Sequence, residues 1–149
     1  MDVIYLNPNR QGPKAYLDWG DPCHAYVPDT PLYRDKIYME LTLQHFECLH
    51  HIRYLYQFLT FDNYDLFLDY CYLDLSLAPK MRAVEYFYEV TFDSFETYKF
   101  LALALERKKR YEEAITACEQ AISLGYYNDD TKGKMQGRIQ RLQKKINKN

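Results

Sequence analysis

The stretch HFECLHH, residues 45–51, brings His45, Cys48, His50 and His51 within two helical turns. Imidazole nitrogen and thiolate sulfur are zinc ligands, and a structural site needs about four of them in a tetrahedral array. Cys23, His24 and Cys71 are the residues that would complete such a shell. On a helix His45 and Cys48 sit one turn apart on the apolar stripe, whereas His50 and His51 point elsewhere. A buried histidine and a core cysteine explain the same letters. A zinc-dependent protein built on His45 and Cys48 is therefore the weakest of three readings, and no metal or other cofactor is expected.

Nucleophilic catalysis requires a base beside the nucleophile and a third group to orient that base. Cys23 and His24 are neighbours in a loop, where adjacent side chains of an extended segment point apart. GKMQG lacks the strand–loop–helix setting of a phosphate cradle. Asp62, Asp65 and Asp69 recur at helical spacing and read as a solvated face. No constellation names a reaction, and the chain reads as non-enzymatic.

The elements around these residues are helical. A chain of 149 residues, 48% hydrophobic and 27% charged, falls in the ordinary globular class. No uncharged apolar run approaches the ~20 residues of a membrane span, and residues 1–30 lack the pattern of a signal peptide. The cytoplasm is the default location. Four cysteines 23 to 47 residues apart, with no CxxC pair, read as reduced thiols. Residues 131–149 hold seven basic residues and no acid; the rest of the chain carries 12 basic against 21 acidic residues, a net of −9.

Five of the six prolines precede residue 32, and no glycine occurs between Gly20 and Gly125. This places an irregular N-terminal arm or short hairpin over 1–30 and a single helical domain over 31–149. VIYL and KAYLDW are plausible strands around NPNRQGP. From Pro31, a helix-starting residue, Tyr38, Leu41, His45, Cys48, Ile52, Leu55 and Leu59 form one apolar stripe. Further helices are expected over about 62–77, 80–91 after Pro79, 94–108, 111–124 and 132–147. Asp93 and Glu96 have the spacing of a capping box, and Gly125 supplies a left-handed stop. In the last helix Met135, Ile139, Leu142 and Ile146 face inward. The expected fold is all-α, a helical bundle or short solenoid.

Residues 95–128 resemble the tetratricopeptide repeat, a 34-residue helix–turn–helix unit. The match rests on Tyr98, Leu101, Ala102 and Leu105 in the first helix, and on Ala114, Cys118 and Ala121 in the second. Tyr126 stands at the closing proline and departs from the pattern. Residues 131–147 resemble the helix that caps such arrays, apolar inside and basic outside. The resemblance implies a partner-binding surface on the first helix of the repeat, at Glu96, Lys99, Leu103 and Glu106. It does not extend to a carboxylate clamp, because Leu103 occupies the place of a required asparagine.

Sixteen tyrosines exceed the number of inward positions. Tyr54, Tyr56, Tyr70, Tyr72 and Tyr86 fall beside or opposite the stripes, and tyrosine is favoured at binding surfaces for its large, rigid area. The leading expectation is thus an adapter or regulator that binds a protein partner through an aromatic, acidic helical surface. The alternative is a nucleic-acid-associated protein using Lys134, Arg138, Arg141, Lys144 and Lys145.

Overall fold

The computed structural model describes residues 4–6, 17–19, 31–87 and 92–148, with side chains at 36, 38–85 and 92–148. In chain order they form β1 (Ile4–Leu6), β2 (Leu17–Trp19), α1 (Pro31–Gln57), α2 (Tyr64–Leu75), α3 (Ala78–Phe87), α4 (Glu96–Arg107), α5 (Tyr111–Ser123) and α6 (Lys134–Lys148). The fold is all-α; among the described residues its strands are one antiparallel pair of three residues each, Ile4 opposite Trp19 and Leu6 opposite Leu17. The expected turn NPNRQGP and the loop carrying Cys23 and His24 lie outside the described residues.

The chain divides into two compact units. One comprises Met1–Glu47 and Ser76–Thr91, the other Cys48–Leu75 and Phe92–Asn149, whereas the sequence suggests a single boundary near residue 30. In the first unit α3 lies beside β1. Pro79 falls in the first turn of α3, where its missing N–H leaves no bond unmade; the helix begins at Ala78 rather than after the proline.

The second unit is built in sequence order, with α2 against α4, α4 against α5 and α5 against α6. Its core holds Ile52, Phe67, Leu101, Leu105, Met135 and Leu142. Each such side chain contributes roughly 1.5–3 kcal/mol by leaving water. Both α4 and α5 bury small residues: Ala102, Ala104, Ala114, Ala117 and Ala121 are all inside. Side chains ending at Cβ let the two helix axes approach closely.

Helix ends in this unit differ from expectation at two points. Asp93 and Glu96 do not form a capping box. Phe95 is the N-cap of α4, with no side-chain capping bond. The Asp93 carbonyl instead accepts the Asn128 N–H at 2.9 Å, its carboxylate accepts the Asn128 amide at 3.2 Å, and Glu96 pairs with Arg53. Tertiary partners have outcompeted the local bond. A reciprocal cap occurs elsewhere: the Thr60 N–H donates to Asn63 Oδ1 at 2.7 Å, and the Asn63 N–H to Thr60 Oγ1 at 3.3 Å.

Both α4 and α5 end in the paired bonds of a Schellman motif. After α5, Gly125 has φ +85°; the Tyr126 N–H reaches the Ala121 carbonyl, and the Gly125 N–H that of Ile122. After α4 the Arg110 and Lys109 N–H groups bond Leu105 and Glu106 in the same way, but the left-handed residue is Lys109, φ +58°. A lysine there bears roughly 1–2 kcal/mol of backbone strain. Lys109→Gly is accordingly expected to raise stability by about 0.5–1 kcal/mol, read as a higher midpoint in urea unfolding at unchanged slope. A lower midpoint would contradict this account of the turn.

Candidate interaction surface

The outward row of α4 carries Glu96, Lys99, Leu103 and Glu106 over eleven residues, about 15 Å of helix from first to last. Its two ends are tied to neighbouring helices: Glu96 is ion-paired with Arg53 of α1, and Glu106 with Lys145 of α6. Between them Lys99 and Leu103 are partly exposed. Tyr56 of α1 stands beside this row. Its ring lies 5.0 Å from that of Phe100 and 6.0 Å from that of Phe67, and the Arg107 guanidinium sits 4.6 Å from its centre. Tyr56 therefore joins α1 to α4 and α2, and contributes an edge to the surface.

A second group of aromatic and apolar side chains is exposed where α1 passes into α2. Tyr54 is 60% exposed and packs on Phe58 with ring centres 5.1 Å apart. Phe61, in the connecting turn, is 87% exposed, with the Lys108 ammonium 5.4 Å from its ring centre. On α2 the exposed side carries Leu66, Tyr72 and Leu73 with Asp65 and Asp69, and Asp62 is exposed in the turn before it. Leu73 is 56% exposed. Adjoining exposed apolar side chains such as Tyr54 and Phe58 mark interaction sites more often than scattered single residues do.

The predicted tyrosines thus separate. Tyr54 and Tyr72 reach solvent; Tyr56 is half-buried as described; Tyr70 stacks on His51, ring centres 4.6 Å apart and 15° from parallel. The Tyr86 side chain lies outside the described residues. Desolvation, partial at the exposed Tyr72, raises the Tyr64 and Tyr72 hydroxyls above their ordinary range, with Glu113 adding to the rise and Arg110 opposing it. Tyr64 is inside, donating its hydroxyl proton to the Ala104 carbonyl at 2.8 Å.

The thiols are placed as core groups. Cys48, Cys71 and Cys118 are buried. Burial, with the nearby Asp74 charge, drives the Cys71 thiol far up, and burial pushes Cys118 up to about 11; both are protonated at neutral pH and poor nucleophiles. His45 is half-buried one turn from Cys48. Among the described residues no three His, Cys, Asp or Glu side chains converge as metal ligands would.

Arg138 departs from its expected place among the outward bases of α6. It is buried, and its Nε donates to Asp129 Oδ2 at 2.7 Å, with both side chains at or near zero exposure. The position was readable: Arg138 lies on the stripe of Met135, Ile139 and Leu142 at helical spacing. Asp129 also accepts the Thr131 N–H at 3.1 Å and the Thr131 hydroxyl at 2.5 Å, so the pair holds the turn between α5 and α6. A second buried acid, Asp74 of α2, accepts the Thr97 hydroxyl at 2.5 Å. Its charge, after burial, helps push the Tyr98 hydroxyl up to about 12.

Among the described residues no helix is long and apolar enough to cross a membrane. Comparison with family models, curated proteins and solved structures finds no match to this chain.

Proposed function

We propose that this chain is a non-enzymatic adapter or regulator that binds a protein partner. The observation that carries the reading is the exposure of Tyr54, Phe58, Phe61, Leu66, Tyr72 and Leu73 over the end of α1, the turn after it and α2, with Asp62, Asp65 and Asp69 exposed on the same stretch. Tyrosines and apolar residues with an acidic surround suit a partner whose contact patch is apolar at its centre and basic at its rim. The outward row of α4 extends the surface through Lys99 and Leu103.

The resemblance of residues 95–128 to a tetratricopeptide repeat supports the same reading. The residues on which it rests, Tyr98, Leu101, Ala102, Leu105, Ala114, Cys118 and Ala121, are all buried, as the packing of such a unit requires. In this reading α6 acts as the cap, covering α5 with Met135, Ile139 and Leu142. The buried, protonated thiols of Cys71 and Cys118 suit a reducing compartment, and the cytoplasm is the location we assign.

The triple variant Tyr54→Ser, Tyr72→Ser, Leu73→Ser tests the surface. All three positions are exposed, so each substitution is expected to shift stability by about 0.5 kcal/mol or less. Capture of the partner is expected to fall at least ~10-fold, as loss of an aromatic anchor worth about 1.4 kcal/mol or more requires. Undiminished capture by a normally folded variant would move the surface elsewhere.

A further inference from the structure

The outer side of α6 is a different chemical surface from the aromatic one. Met135, Arg138, Ile139 and Leu142 are buried, and the exposed positions sort into two rows. Gln136, Gln140, Gln143 and Asn147, spaced four, three and four apart, form an uncharged amide row. Lys134, Arg141, Lys144, Lys145 and Lys148 form a basic row next to it, and Lys132 precedes the helix; all six cations are exposed. A helix face that only needs solvating normally interleaves both signs, because Glu–Lys pairs one turn apart add stability. Here residues 131–149 contain no acid, in a chain otherwise at −9.

Three of these cations are engaged at home. Lys145 pairs with Glu106, Arg141 donates to the Lys132 carbonyl at 2.8 Å, and the Lys134 ammonium lies 4.9 Å from the Tyr127 ring centre. Lys132, Lys144 and Lys148 have no side-chain partner among the described residues.

The chemistry of the two rows selects among ligands. A protein interface is built round an apolar or aromatic centre, and neither exposed row of α6 has such a residue. Single-stranded nucleic acid is held by successive stacked aromatics; neither row carries one, and the exposed Tyr127 ring beside them is already occupied by the Lys134 ammonium. A duplex backbone asks for the opposite: a polar, basic, water-bearing contact, with amides and ammonium groups hydrogen-bonding phosphate and sugar oxygens. At ~1.5 Å per residue the helix is about 22 Å long, enough to follow several phosphates of one strand. We infer that the outer face of α6 binds the phosphate backbone of duplex DNA, without reading its sequence.

The test is fluorescence anisotropy of a labelled duplex of ~20 base pairs titrated with the full chain at salt from ~25 to ~200 mM. With three to four phosphates neutralised, log K is expected to fall against log salt with a slope of about −3. Lys144→Gln combined with Lys148→Gln is expected to flatten that slope by about 2 and weaken low-salt binding at least ~10-fold. These two side chains are exposed, and an unchanged circular-dichroism melt confirms that the variant is folded. Absence of binding at ~25 mM salt overturns the inference. So does an unaltered slope in the variant, tighter binding to the matching single strand, or equal binding to polyglutamate, which would make the face a site for an acidic polypeptide.

Discussion

Asp129→Ala is expected to destabilise the protein by about 3–5 kcal/mol, because it leaves the Arg138 guanidinium buried with no counter-charge. That is a large share of the 5–15 kcal/mol typical of a domain. The substitution also frees the Thr131 N–H and hydroxyl that Asp129 accepts, so the turn between α5 and α6 loosens with it. Adding Arg138→Met is expected to restore most of the loss. A methionine there continues the stripe of Met135, Ile139 and Leu142, and buried ion pairs are often replaceable by apolar residues of similar size. Urea denaturation of both single variants and the double variant measures the coupling; equal and additive losses would mean that the pair is not buried as described.

The same pair carries a pH dependence of defined sign. Burial alone would raise the Asp129 carboxyl, but hydrogen bonds from Thr131 and Arg138, with the Arg138 charge, hold it below the usual carboxylate range. Its folded value thus lies under its unfolded value of about 3.9. The unfolded chain binds the proton first as pH falls. The stabilisation is complete above the unfolded value and is lost as pH drops through the folded one. The acid limb of a stability–pH curve is expected to be shallower in Asp129→Ala than in the parent.

Ending the chain after Asp130 is the second change of large expected effect. It removes α6, and with it Met135, Ile139 and Leu142, which are buried in the second unit. At roughly 1.5–3 kcal/mol for each buried side chain, about 5–9 kcal/mol of burial is withdrawn, and the face of α5 they cover is opened to water. The truncated protein is expected to lose its cooperative thermal transition or to aggregate. A soluble truncated chain with an unchanged melt would show that α6 is an appendage and would end its description as a cap.

Much of the helical framework was legible as periodicity. Leu41, Cys48, Ile52 and Leu55 stand on one α1 stripe at spacings that only a helix places on one side, and all four are buried. The small residues of α4 and α5 announced a close contact for the same reason. Periodicity names a face, however, and not what lies opposite it. Arg53 and Glu96 are 43 residues apart, and nothing local couples them; the capping-box spacing of Asp93 and Glu96 misled because both side chains found distant partners. Lys109 gave no warning of its left-handed backbone, since the usual marker there is glycine. Of the surface, the excess of tyrosine was visible, but its division into exposed Tyr54 and Tyr72 and engaged Tyr56 and Tyr70 depends on neighbours from other helices. Phe61, Leu66 and Leu73 went unnoticed because an apolar residue off a stripe looks the same whether exposed in a patch or alone.

The most direct test of the interaction reading is capture with the tagged full chain from native extract, before and after nuclease, with stoichiometry read by quantitative mass spectrometry. The account predicts one protein recovered near one-to-one, unaffected by nuclease and lost with the Tyr54, Tyr72 and Leu73 substitutions. Recovery that collapses with nuclease, or that survives those substitutions, would contradict it.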